Sequence, residues 1–445
     1  MQKFILGLLS LSLCAAAIAA PAPRPNIIFM VGDGMGVAYT GAYRLYQDNI
    51  ATPELEKTVF DEMLVGMAST YPDDHGVVTD SAAAATALAS GVKTFNGAIG
   101  VNSQHSPIPS MLDKARELGY LTGIAVTCQV NHATPAAFIA HADSRHSYDS
   151  IADQYLDLRI NGKPKVDLIL GGGREYFIRK DRNLVKEFEA LGYHYQDDLK
   201  NLAKIKKLPA LGLFSKAGMD PALESSNPLR LAEMTETALR LLQPEMQKNT
   251  TAKPFFLMLE ASQIDWCGHA NDIACAMSEM RDMAATMKII KAFVDKNPNT
   301  IFVATADHST GGLSIGAKGQ YQWNASVVRN VKATAPTIAR KLLASKNNWK
   351  TEWQTLTQIK LADDEQKALD AFITQADESN GEVIVSQVTA QVLAYIDKYS
   401  STGWTTKGHT GEDVQIFSYG NDHGSFNGAM DNTDIAKKLM VYLKP

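Results

Sequence analysis

The sequence has no stretch dense in lysine or arginine. Its 43 basic and 48 acidic residues are interspersed and leave a formal net charge of −5. Bulk electrostatic binding of nucleic acid is therefore not expected, because that needs a concentrated positive face. No apolar run reaches the roughly 20 residues of a membrane-spanning helix. There is no internal repeat, and no low-complexity tract beyond one alanine-rich segment. Cysteine is scarce, with four residues in 445. What the chain does have is 45% hydrophobic content, ample for a large buried core. At about 150 residues per domain the length suggests three domains, but α/β enzymes often exceed that size as one unit.

The N-terminus reads as an export signal. Lys3 is a positive n-region, Phe4 to Ile18 form an apolar h-region, and Ala17 and Ala19 fit a small-residue cleavage site. Residues 1–19 are expected to be a signal peptide and 20–445 the catalytic unit, periplasmic or secreted. No membrane span is expected after processing. Cys14 does not make a lipoprotein site, because Leu13 before it is too large. Three cysteines remain, enough for one disulfide and one thiol. Cys267 and Cys275, eight apart on one expected loop, are the expected pair, and Cys128 the buried thiol.

Short apolar runs read as buried parallel strands: Asn26–Val31, Leu121–Thr127, Val166–Leu170, Phe255–Leu259, Ile301–Ala306 and Gln415–Tyr419. Helical stretches separate them. Ser81–Ser90 ends at Gly91, a suitable C-cap, and Met277–Asp295 carries a methionine stripe suited to core packing. The fold class is α/β, a doubly wound and mostly parallel sheet flanked by helices. Such sheets bind ligands at the carboxyl ends of their strands. Asp33, Glu260 and Asp307-His308 each follow such a run directly. Residues 314–404, with Trp323, Trp349, Trp353 and a charged segment Leu361–Ser379, read as an inserted subdomain.

Six segments carry chemistry. Gly32-Asp33-Gly34-Met35-Gly36 fails the dinucleotide fingerprint, because Val37 stands where the last glycine belongs. Its glycines instead suit a tight turn that aims Asp33 into a cleft. Ser81 in Asp80-Ser81-Ala82-Ala83 is, alone, best read as a helix N-cap. It also sits where helix N–H groups stabilise phosphate. It has no nucleophile elbow and no obvious histidine base accompanies it in sequence, so as a nucleophile it requires a metal. Asn131-His132-Ala133-Thr134 sets two donors two residues apart, and Arg145 offers a planar fork for phosphate oxygens, though a single arginine is usually a surface ion pair. Asp265 and His269, four apart, can close on one zinc, with Glu260 free for a harder cation. Asp307-His308 is an adjacent pair. His409 alone is a turn histidine, and gains weight as a third ligand beside Asp265 and His269.

With these motifs in place the chain resembles the alkaline phosphatase family from about Pro25 onward. Gly32-Asp33-Gly34-Met35-Gly36, Asp80-Ser81-Ala82-Ala83, Gly91-Val92-Lys93-Thr94-Phe95-Asn96-Gly97, Ala306-Asp307-His308 and Gly408-His409-Thr410 occur in the family's order. The resemblance implies two Zn²⁺ and one Mg²⁺. One zinc would be held by Asp265, His269 and His409. The other would be held by Asp33, Asp307 and His308, with Ser81 completing it. Magnesium would be held by Asp33, Thr134 and Glu260. Arg145 would clamp phosphate. His132 and Trp266 stand at positions that vary within the family, near the magnesium waters and the phosphate. The implied reaction is hydrolysis of small-molecule phosphate monoesters through a phosphoserine, in a homodimer whose crown-like region would be 314–404. A phosphodiesterase on the same scaffold, or a non-catalytic phosphate- or zinc-binding protein, are the alternatives. A sulfatase is disfavoured because no Cys/Ser-x-Pro-x-Arg context surrounds Ser81.

Overall fold

The computed structural model describes residues 23–242, 253–374 and 381–444. The expected signal peptide lies outside them, as do residues 375–379 of the charged segment; its described helix is Asp363–Thr374. Ten strands form the central sheet: β1 (Asn26–Gly32), β2 (Leu64–Ser69), β3 (Leu121–Gln129), β4 (Leu168–Gly172), β5 (His194–Gln196), β6 (Ala210–Leu213), β7 (Phe255–Ala261), β8 (Thr300–Thr305), β9 (Val414–Gly420) and β10 (Gly428–Asp431). Their order is β10-β2-β9-β8-β1-β7-β3-β4-β6-β5. Each of β1, β7 and β8 is buried along its whole length. Such continuous apolar runs are what a parallel sheet covered on both faces requires.

Register places the strand ends level. Val31 pairs with Thr305 on one side and with Glu260 on the other, and Val126 also pairs with Glu260. Asp33 and Asp307, each two residues past a paired position, therefore emerge together beside Glu260.

One expected strand direction is corrected. The run Gln415–Tyr419 lies in β9, which is antiparallel to both β8 and β2. The loop before it carries His409 at the carboxyl edge of the sheet, so the next strand can only run back.

The alanine-rich helix Ser81–Ser90 is buried apart from its last residue and is closed by Gly91 at φ 74°. Small side chains let helices Ala133–Ala137 and Asn432–Met440 pack closely on it. The helix Ile273–Lys296 buries Met277, Met280, Met283 and Met287 in the core. The expected loop between the two cysteines is also corrected. Cys267 is on the helix Gln263–Ala270 and Cys275 on the next helix, joined by a turn at Asn271 (φ 55°). That turn brings their Cα atoms to 5.5 Å, and the two are disulfide-bonded. Segment 314–404 is mainly helical, and its ends meet where Ser314 pairs with Gly403. Inside it, Trp353 packs edge-on to Tyr395 and Trp349 donates to Asp370.

Among the described residues no helix is long and apolar enough to cross a membrane.

Candidate metal centre and phosphate site

The loop after β1 can carry Asp33 into the site because of Gly34. That residue has φ 73°, and a Cβ there would lie 2.7 Å from Asp265 Cα. Its N–H donates to Asp307 Oδ1 at 3.1 Å, tying the loops after β1 and β8 together.

The first cluster joins Asp265, His269 and His409. Asp265 Oδ1 lies 3.4 Å from His269 Nε2 and 3.6 Å from His409 Nε2, and the two Nε2 atoms are 3.2 Å apart. Backbone carbonyls fix both rings. Nδ1 of His269 bonds Lys407 O at 2.5 Å, and Nδ1 of His409 bonds Thr79 O at 2.9 Å. A carbonyl only accepts, so each Nδ1 carries a proton and Nε2 is the ring nitrogen left to offer a lone pair to a metal. Two lone pairs and a carboxylate oxygen then face one another. Tetrahedral zinc with bonds of about 2.0–2.1 Å has ligand–ligand edges of about 3.4 Å, which these separations match.

The second cluster joins Asp33, Asp307 and His308, all fully buried. His308 Nε2 is 3.6 Å from Asp33 Oδ1 and 3.3 Å from Asp307 Oδ2. Thr310 links the two clusters. Its hydroxyl donates to Asp265 Oδ1 and lies 3.3 Å from His308 Nδ1. A hydroxyl has one proton, so it accepts from His308 Nδ1–H, and Nε2 again keeps a lone pair. A triad of Asp265, His308 and His409 also lies within 4.8 Å. Because Thr310 occupies His308 Nδ1 and His308 Nε2 faces Asp33 and Asp307, the His269 grouping is the better donor set.

Electrostatics points the same way. Burial, then Asp307, Asp265 and Glu260, pushes Asp33 well above the usual carboxylate range. Burial raises Asp307 as well and drives His308 well below the histidine range. Both Asp33 oxygens, Asp307 Oδ2, Glu260 Oε1 and Thr134 Oγ1 are buried without a hydrogen-bond partner. Crowded, unpartnered oxygens of this kind are costly unless cations neutralise them. The donor set thus fits divalent metal ions.

Ser81 is 1% exposed, and its Oγ lies 3.1 Å from His308 Nε2. The N-cap reading of Ser81 is corrected by one residue. Asp80 caps the helix, its Oδ1 accepting from Ala83 N, and Ser81 is the first helical residue. Asp80 Oδ2 also binds Gly97 N–H and Arg145 Nη1, at 3.0 and 3.1 Å. The carboxylate offers oxygens for three donors, where a serine cap offers one. Burial works against the Arg145 charge, but Asp80 outweighs it and holds its pKa above the ordinary value.

Arg145 Nη2 also meets His132 Nε2 at 3.3 Å. Burial first, then the charges of Arg145 and His146, lowers His132 to about 3. His132 is therefore neutral and accepts from the guanidinium. Trp266 packs edge-on to His132, ring centroids 6.1 Å apart, and meets the site through it.

Thr310, Asp80 and Cys128 were not among the residues singled out from sequence as ligands or catalytic groups. Cys128 Sγ lies 3.2 Å from Glu260 Oε2. Its one sequence signal was its place at the carboxyl end of an apolar run.

The family model described as alkaline phosphatase matches residues 24–444. The chain is 45% identical to alkaline phosphatase 3 of Bacillus subtilis, over 94% of this chain and 89% of that protein. It is 42% identical to alkaline phosphatase 4 of the same organism, over 94% of this chain and 88% of that one. A solved structure of a cold-active alkaline phosphatase from a psychrophilic Shewanella superposes with a TM-score of 0.87 at 42% identity. That match covers 94% of this chain and all of the other.

Proposed function

The chain belongs to the alkaline phosphatase family and is a metal-dependent phosphatase, and from that premise we propose that it hydrolyses phosphate monoesters with Ser81 as nucleophile. The observation that carries this reading is the position of Ser81 Oγ. It sits at a helix start, 3.1 Å from His308 Nε2 and within reach of the Arg145 anchorage on Asp80.

We assign one zinc to Asp265, His269 and His409, and the other to Asp33, Asp307 and His308. Magnesium falls to Asp33, Thr134 and Glu260. When bound, these ions supply Lewis acidity that lowers the pKa of the serine hydroxyl and neutralises the leaving alkoxide. The rest is work for the chain. Arg145, held by Asp80, orients two phosphate oxygens with its planar fork. The first N–H groups of the helix Ser81–Ser90 stabilise the equatorial oxygens. Ser81 Oγ attacks phosphorus, the bond to the alcohol breaks in line, the hydroxyl proton passes to solvent and the leaving oxygen takes a proton back from solvent. Water then displaces Oγ and releases inorganic phosphate. His132, neutral, sets the outer edge of Arg145, and Trp266 supports it.

Trapping with labelled phosphate at low pH tests this. Wild type should retain one covalent label per active chain and Ser81→Ala none. Equal labelling of the variant refutes Ser81. A nitrophenyl monoester should be turned over far faster than the bis ester, and the reverse would favour a diesterase. The same premise makes the chain an exported homodimer, with 314–404 as a subdomain of the catalytic unit. Sedimentation and cell fractionation test those points.

A further inference from the structure

Segment 314–404 is inserted between two runs of metal-cluster residues. It begins just after Asp307-His308 and ends just before His409. Two short antiparallel ladders form its neck. Thr310 pairs with His409 and Ser309 with Thr410; farther out, Ser314 pairs with Gly403 and Ile315 with Thr402. Between the ladders, Gly311 N–H donates to Gly408 O at 2.9 Å. The N–H groups of Thr405 and Thr406 donate to Gly311 O at 3.0 and 3.2 Å. The neck thus sets His409, from the first cluster, level with Thr310, which contacts Asp265 and His308, one residue from each cluster.

Trp404 is packed into this neck. A Cβ on Gly311 would lie 2.7 Å from Trp404 Cε3 and 2.8 Å from its Cζ3, so the indole rests directly on the glycine. Any larger residue at 311 would push the ring away. The ring also meets Tyr39 edge-on, with centroids 6.4 Å apart. Tyr39 Oη in turn donates to Thr310 O at 2.7 Å. From the indole, Nε1 donates to Asp397 Oδ1 at 3.3 Å, on the helix Gly381–Ser400 of the inserted segment. One ring therefore joins that helix, the glycine bonded to the His409 loop, and the tyrosine that holds Thr310. A ladder of two residue pairs is marginal by itself, so packing of this kind must hold its register.

We propose that Trp404 is a positioning residue for the cluster of Asp265, His269 and His409. Its ring, wedged between Gly311 and Tyr39, holds His409 in register with Thr310, and segment 314–404 thereby sets the spacing of the two metal clusters. The proposal rests on the reading of His409 as a zinc ligand. Without the ring, the His409 side chain keeps its Nδ1 bond to Thr79 O but loses the packing behind its backbone.

The test is zinc binding to the metal-stripped protein, by competition with a chromogenic chelator, with magnesium in excess. Wild type should take two zinc equivalents. In W404A one equivalent should weaken about ten-fold or more while the other is retained. W404F, which keeps an aromatic face over Gly311, should bind close to wild type. In an H409A background, W404A should cost neither equivalent anything further, because the ligand it positions is gone. Unchanged binding in W404A overturns the proposal, as does W404F as weak as W404A. So does an equal loss at both equivalents, or the same loss in the H409A background, since either marks a general loosening of the fold. W404L takes the place of W404A in the cycle if W404A does not fold. Wild type that binds no zinc overturns the metal-centre reading itself, and this inference with it.

Discussion

Chelation should expose a pH-dependent weakness in the fold, and Glu260 sets much of it. Burial pushes its carboxyl from 4.5 up to about 7. Because the folded-state value lies above the unfolded one, the folded chain keeps the proton longer. Its contribution to stability is fully present below about pH 4.5 and is lost as pH rises through about 7. The difference of about 2.5 units, at about 1.36 kcal/mol each, is about 3 kcal/mol. His132 works in the other direction. Burial, with Arg145 and His146, lowers it from 6.5 to about 3, so its contribution is lost as pH falls through that range. The raw pH profile of the metal-free protein mixes these two with Asp33 and Asp307, which burial also raises, and His308, which it lowers. The substitution Glu260→Gln takes out the Glu260 share, since glutamine stays neutral at every pH. Urea unfolding of chelator-treated wild type and E260Q, between about pH 4 and 8, should show E260Q gaining on wild type as pH rises. The gain should approach about 3 kcal/mol by neutrality. A stability difference that does not change with pH refutes the reasoning. With metals restored the order should reverse, because the carboxylate then has a cation to hold.

Thr310→Val removes the hydroxyl that donates to Asp265 and accepts from His308. Zinc affinity, measured by competition with a chromogenic chelator, should fall about 10–100-fold, with Thr310→Ser close to wild type; unchanged affinity in the valine variant counts against Thr310 as an aiming group. Gly34→Ala places a Cβ 2.7 Å from Asp265 Cα in a left-handed turn. The backbone strain alone costs about 1–2 kcal/mol, so denaturant unfolding should show a loss of at least that size, and an unchanged midpoint would show that the turn relaxes freely.

How much of this centre was legible in the sequence depends on what each residue signals. Asp33, Glu260 and Asp307 could be read because each follows a buried apolar run, and parallel strands deliver their ends to one edge. The direction of β9 could not, since a buried run looks the same in either sense. Its reversal follows only once His409 is placed at the carboxyl edge. The cap was misread by one residue because Asp80 and Ser81 are both capable caps. The choice falls to Asp80 through Gly97 and Arg145, which are distant in sequence. Cys128 gave no signal, because its place depends on the register that sets it two residues past the Val126–Glu260 pair, against Ser262. The aim of His269 and His409 was the least legible feature. Carbonyl oxygens of Lys407 and Thr79 hold their Nδ1 atoms, and a carbonyl is common to every residue. The types of ligand are thus written in side chains, but their tautomers are set by backbone path. A side-chain scan at 79 and 407 would miss the two groups that turn both Nε2 lone pairs toward one point.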